Sequence, residues 1–240
     1  MGSNKKKKSK VEIKRLIFIF SFLITVFLLL TVFMMGSIMD KSRTDYIDDK
    51  YANMARDIYR LQSFFLLSEA YDNEMACLAF ENKLKELDKT VWELGETIEK
   101  YRQASEEFQK DEYYLEKKKV FNENEVFYYL LMRKMMKQCN LSKHTILYFY
   151  SDSDSCKKCD DQSFILTDLK KDDEETGKEE IAIFSFDMTL NISTLDLLKR
   201  YYDIEEYPCL VINEEPYCGI RGQEFIQDKI CESDPDMNLC

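Results

Sequence analysis

From Leu16 to Met35 the chain runs through twenty residues with only Ser21, Thr25 and Thr31 as polar interruptions. As a helix rising about 1.5 Å per residue, that stretch is roughly 30 Å long, the thickness of a bilayer core. Lys5, Lys6, Lys7, Lys8, Lys10, Lys14 and Arg15 precede it; Asp40, Asp45, Asp48 and Asp49 follow. The positive-inside rule therefore predicts a single-pass anchor in the cell membrane over residues 16–39, contacting lipid through Leu16–Met39. Residues 1–15 become a basic cytoplasmic tail and everything after Asp40 lies outside. A cleaved signal peptide is the competing reading. The run is long for one, and no small-x-small pattern follows Phe33.

That location gives the eight cysteines a meaning. Thiols outside the cytoplasm pair and persist as disulfides, and an even count is consistent with full pairing. Asn140-Leu-Ser142 and Asn191-Ile-Ser193 are glycosylation sequons on the same side. Residues 1–39 carry a net +6, so the remaining 201 residues hold −17 of a total of −11. So acidic a body argues against nucleic acid as a partner, because phosphates require positive charge.

Residues 40–139 read as a helical spacer, with no proline and a single glycine, Gly95. Ile47, Tyr51, Met54, Ile58, Leu61 and Phe65 step by four and three. Cys77, Phe80, Leu84, Leu87, Val91, Leu94, Ile98 and Tyr101 do the same. These are coiled-coil-like seams. A third helix is expected from about Tyr113 to Cys139. The polar stretch Arg102–Glu112 separates it from the second, so the two should fold back antiparallel. Facing residues in such a hairpin have indices that sum to twice the turn centre. Cys77 and Cys139 imply a centre at 108, inside the polar stretch, and a disulfide fits. Two buried free thiols are the alternative. Packing of the seams within one chain and packing between two chains, as a homodimer, are both open.

After Cys139 the pattern changes. His144–Ser151 reads as a buried strand and Cys156–Lys171 as a helix, followed by an acidic loop, Asp172–Glu180. Ile181–Phe186 is a second strand and Thr194–Tyr202 a helix. Pro208–Ile212 is a third strand that turns at Asn213–Pro216 into Tyr217-Cys218-Gly219, and Gln223–Cys231 closes as a helix. Between first strand and first helix sits Cys156-Lys157-Lys158-Cys159. A helix starting at Cys156 would hold its sulfur over unpaired N–H groups, which favours the reactive thiolate.

On the strand, C-x-x-C and helix at 145–171 and on Glu206-Tyr-Pro-Cys-Leu-Val-Ile212, residues 143–232 resemble the thioredoxin superfamily. With the anchor and spacer, the chain resembles membrane-anchored thioredoxin-like proteins of archaea. The implied fold class is an α+β composite: a transmembrane helix, an antiparallel coiled-coil-like helical region, and an α/β thioredoxin-like fold, with residues 233–240 as a tail. The resemblance also implies a cis bond at Tyr207-Pro208 that faces the C-x-x-C and binds an extended substrate peptide. The chain departs from typical members in three respects. No tryptophan precedes Cys156, the first strand lacks the buried acid used as a proton shuttle (Tyr148 lies there instead), and an N-terminal strand and helix are missing.

The expected function is thiol–disulfide exchange on protein thiols and disulfides, with Cys156 attacking and Cys159 resolving, and no cofactor. Lys157 and Lys158 should lower the thiol pKa while Asp152, Asp154, Asp160 and Asp161 raise it; the sign of the sum is open. The rival readings are a permanent cystine bracing a helix start and a non-catalytic membrane-tethered adaptor. Zinc lacks a second ligand pair, the acidic flank lacks the glycine and closing glutamate of a calcium loop, and His144 is expected at a surface or edge. Cys209, Cys218, Cys231 and Cys240 admit three pairings. If Ile212 pairs with Tyr217, Cys209 and Cys218 become diagonal neighbours and Cys231–Cys240 staples the tail; alternatively Cys209 stays free.

Overall fold

The structure, a computed structural model, describes residues 3–70, 73–103, 111–141, 143–152, 154–177, 180–235, 237 and 240. The turn expected around residue 108 and Ser142 of the first sequon lie outside them. The chain is mixed α+β and divides into two compact units, Met1–Asp49 and Lys50–Cys240.

Helix α1, Ser3–Ala70, runs through both. In the first unit its large apolar side chains from Leu16 to Met39 are exposed. Two of the three polar interruptions satisfy themselves on the helix: Thr25 Oγ1 donates to the Ser21 carbonyl (2.9 Å) and Thr31 Oγ1 to that of Leu28 (2.8 Å). With a mean hydropathy reaching 2.9, this helix is long and apolar enough to cross a membrane.

In the second unit the remainder of α1 packs with α2 (Asn73–Gln103) and α3 (Glu112–Cys139). The seam positions Tyr51, Met54, Ile58, Leu61 and Phe65 are buried within the chain, as are Phe80, Leu84, Leu87, Val91, Leu94 and Ile98. Lys50–Glu93 and Lys83–Asp57, both at 3.0 Å, bridge α1 and α2. The Tyr51 hydroxyl reaches the Lys117 carbonyl of α3. Gly95 admits the Phe121 ring, whose Cζ would lie 3.3 Å from a Cβ at that position. Asp111 caps α3 by accepting from the Tyr113 amide, and Asn140 ends it in the left-handed conformation.

Four strands follow: β1 (His144–Tyr150), β2 (Ile181–Asp187), β3 (Cys209–Ile212) and β4 (Glu215–Cys218), in the order β2-β1-β3-β4. β1 and β2 are parallel and the other pairs antiparallel. Helices α4 (Cys159–Glu175), α5 (Ser193–Tyr201) and α6 (Gln223–Cys231) complete the unit. One sheet face (Ile146, Tyr148, Ile183, Leu210, Ile212) packs on Leu166 and Leu169 of α4 and Ile226 and Ile230 of α6. On the other, Tyr128 and Tyr129 of α3 meet Phe184 at 5.5 Å.

Three local expectations are corrected. Helix α4 begins at Cys159, not Cys156, because Asp152 draws the Ser155 and Cys156 amides into a turn of their own. The β3–β4 hairpin turns on two residues, Asn213 (φ 48°) and Glu214 (φ 77°), so Ile212 pairs with Glu215 rather than Tyr217. His144 opens an interior strand and is buried, its Nδ1 3.1 Å from Asn213 Nδ2.

Candidate functional site

β1 delivers the chain at Tyr150 into a short loop organised by Asp152. Its Oδ1 accepts from the Ser155 amide at 2.8 Å, which holds the carboxyl below its ordinary pKa, and its carbonyl accepts from the Cys156 amide at 2.8 Å. Cys156 follows in that turn. Cys159 is the first residue of α4, behind an N-cap, Lys158, that makes no side-chain capping bond. The two sulfurs form a disulfide with a Cα–Cα distance of 5.5 Å. Both are buried, Cys156 at 5% and Cys159 at 3% exposure. Lys157, Lys158, Asp160 and Asp161 are all exposed, and water screens their effect on the sulfurs.

The start of α4 is fixed from two sides. The Tyr148 hydroxyl donates to the Cys159 carbonyl at 2.6 Å, and burial pushes the phenol's pKa up. Gln162, fully buried, accepts from the Arg221 amide (2.7 Å) and donates to the Arg221 carbonyl (3.1 Å), tying α4 to the loop after β4.

The Tyr207–Pro208 peptide bond is cis. Cys209 pairs with Phe149, so Pro208 lies beside Tyr150, at the end of β1 from which the Cys156 loop departs. Cys156, Cys159, Tyr207 and Pro208 thus share one end of the sheet. Lys199 Nζ sits 5.3 Å from the centroid of the half-buried Tyr207 ring.

The other cysteines form three more disulfides. Cys209–Cys218 joins directly opposed residues, and register places Cys209 on the Phe149 face, away from Tyr148 and α4. Cys77–Cys139 ties the beginning of α2 to the end of α3, and Cys231–Cys240 closes the tail on α6. Among the described residues no group of three or more His, Cys, Asp or Glu is arranged to hold a metal ion.

A cavity of about 260 Å³ lies between α2, α3, the β2 edge and α4, with Cys159, Tyr148 and Tyr150 in its wall. Sequence reasoning missed two residues there. One is Trp92 of α2. The other is Glu125 of α3, 2% exposed, whose Oε1 accepts from the Ser185 amide at 3.2 Å and whose Oε2 has no partner. Burial pushes the Glu125 carboxyl well above its ordinary pKa, against the pull of the Ser185 bond. An acid therefore does lie beside this end of the sheet, supplied by α3 rather than by β1. Its signal was available: Phe121, Glu125, Tyr128, Met132 and Met135 step by four and three, which puts a carboxylate on a core seam. Nearby, burial opposes charge on Lys118, but Tyr150 and Asp187 outweigh it and the ammonium stays protonated against Asp187.

No protein-family model matches this chain, and no curated protein matches it either.

Proposed function

We propose that this chain is a membrane-anchored thiol–disulfide oxidoreductase, working on protein disulfides outside the cytoplasm through Cys156 and Cys159 on a thioredoxin-like core. The observation that carries the reading is the disulfide between Cys156, in the turn that follows β1, and Cys159, the first residue of α4, at the sheet end that also holds Pro208. The mixed four-stranded sheet, with β3 antiparallel to β1 and β4 at the edge, supports that reading. The basic tail before the apolar helix and the acidic residues after it favour an outside location for Lys50–Cys240.

In the dithiol form, the Cys156 thiolate attacks one sulfur of a substrate disulfide. A mixed disulfide forms and one substrate thiolate leaves, to be protonated by water. The Cys159 thiolate then attacks Cys156 Sγ, closes the internal disulfide and releases the second substrate thiolate. Two electrons have passed to the substrate, and a partner dithiol of the same chemical class restores the enzyme. Run backwards, the same steps oxidise a substrate dithiol.

One observation favours a second reading. With Cys156 and Cys159 at 5% and 3% exposure, the disulfide also suits a permanent brace in a tethered adaptor. Limited reduction of the full chain in detergent micelles by a neutral dithiol, followed by alkylation mapping, separates the two. An exchange centre opens in the folded protein at a potential between about −270 and −120 mV; a structural brace lies below about −300 mV. Insulin-reducing activity that is lost in Cys156→Ser completes the test, and activity that survives the substitution refutes the mechanism.

A further inference from the structure

Five carboxyl side chains, Glu96, Glu99, Glu125, Asp152 and Asp160, line the cavity beside Cys159. Among the described residues no lysine, arginine or histidine lines it. The Lys118 ammonium, two helical turns before Glu125 on α3, is paired with Asp187 and lies 5.7 and 5.3 Å from the Tyr114 and Tyr150 ring centroids, and Lys100 Nζ pairs with Glu96 Oε2 at 3.2 Å, so the carboxyls still outnumber the cations at the cavity. Asp152 uses Oδ1 on the Ser155 amide. Glu125 Oε2 stands apart, being buried, in the cavity wall and without a partner. A buried polar oxygen left unsatisfied costs free energy that a donor entering the cavity would recover. The aromatic side chains of Trp92, Tyr114, Tyr148 and Tyr150 form much of the remaining wall.

Carboxylates around an opening, an unsatisfied acid within and flat aromatic walls together match one chemical group best. A guanidinium carries a permanent charge, a fork of five donors and a planar face that stacks on aromatic rings. An ammonium supplies the charge but neither the fork nor the plane.

The geometry points to this cavity as a specificity pocket that takes an arginine side chain of the polypeptide whose disulfide is exchanged at Cys156–Cys159. The exchange chemistry rests on the reading above; the binding does not. Burial disfavours the charged form of Glu125. A guanidinium beside it favours the carboxylate, and the proton leaves to water. Residues 40–240 carry −17, so a basic segment is also drawn in from a distance.

Trp92 is the only tryptophan of the chain, so its fluorescence reports the cavity directly. The oxidised full chain in detergent micelles is titrated with acetyl-arginine amide and with acetyl-citrulline amide, which keeps the shape but loses the charge. Arginine amide is expected to saturate, with citrulline amide weaker by about tenfold or more. Glu99→Gln with Glu125→Gln, which keeps an acceptor for the Ser185 amide, should weaken arginine amide by a similar factor at unchanged circular dichroism. Equal binding of the two amides, no saturable change with either, or full affinity in the double variant each overturns the pocket. A second measurement compares the rates at which the oxidised chain reacts with acetyl-Arg-Gly-Cys amide and its citrulline counterpart, expected to differ by about fivefold or more in favour of arginine. Equal rates with arginine amide still bound remove the substrate assignment and leave a site for a free guanidinium ligand. Binding of arginine amide without reaction of either peptide refutes the exchange reading instead.

Discussion

Asn122 Oδ1 accepts a hydrogen bond from the Asp187 amide at 2.8 Å, so a side chain of α3 stands where a neighbouring strand would at the open edge of β2. One helical turn later Glu125 does the same for Ser185. Three residues along a helix thus match two along a strand. Edge strands otherwise present unpaired N–H groups to other chains. Asn122 is held in place by its own Nδ2, which donates to the Lys118 carbonyl at 3.1 Å. Asn122→Leu keeps the volume, removes the acceptor and strands the buried Asp187 amide. The expected cost is about 1–3 kcal/mol. In a domain of this size that lowers the thermal midpoint by about 2–4 °C per kcal/mol. An unchanged midpoint would mean that water already serves the edge.

Asp88 joins three elements in the same way. From α2 it accepts the Tyr128 hydroxyl of α3 and pairs with Lys143 at the start of β1, and all three groups are buried. Asp88→Ala removes the carboxylate paired with the buried Lys143 ammonium and the acceptor of the Tyr128 hydroxyl, at an expected cost of about 3–5 kcal/mol. Asp88→Leu combined with Lys143→Met removes both charges and should recover most of that loss. Urea midpoints of the parent, the single and the double variant decide the matter. A single-variant loss no larger than that of a surface pair, about 0–1 kcal/mol, would contradict the clamp.

Glu125 makes stability depend on pH. Its folded-state pKa is raised above the ordinary 4.5, with burial the main cause. The native state therefore keeps a proton that the unfolded chain releases above that value, and stability falls as pH rises from there towards the folded pKa. Glu125→Gln does not titrate and still accepts from Ser185. Its thermal midpoint should match the parent's at about pH 4 and exceed it increasingly as pH rises from about 5 towards the folded pKa. A gap that stays constant over that range would show Glu125 ionised in the folded protein.

The sequence was readable where one period governs many residues. Met54, Ile58 and Leu61, stepping by four and three, and Leu84, Leu87, Val91 and Leu94 are buried as their spacing required. The hairpin rule that paired Cys77 with Cys139 needed only antiparallel helices. What escaped depends on single backbone torsions or on a partner remote in sequence. Glu214 is an unusual residue for a positive φ, and with Asn213 it makes a two-residue turn that shifts the β3–β4 register by two. That shift turns Cys209 and Cys218 from diagonal into direct neighbours. The start of α4 moved because Asp152 captures the amides that a helix from Cys156 would have left open. The spacing of Phe121, Glu125 and Tyr128 puts Glu125 on a core seam, but the partner of its carboxyl, the Ser185 amide at the β2 edge, lies sixty residues on and is not legible from that spacing.

The disulfides differ in how much freedom they remove from the unfolded chain. Cys77–Cys139 closes a loop with a separation of 62, whereas Cys231–Cys240 spans 9. Loop-closure entropy assigns about 4 kcal/mol to the first and about 2.5 kcal/mol to the second. The longer bridge also anchors the beginning of α2 to the end of α3, the helix that leads into β1. Cys77→Ser with Cys139→Ser should therefore lower the thermal midpoint more than Cys231→Ser with Cys240→Ser, by about 3–6 °C. Equal losses would point to a denatured ensemble in which α2 and α3 already stay close, so that the covalent tie adds little to what residual helix pairing supplies.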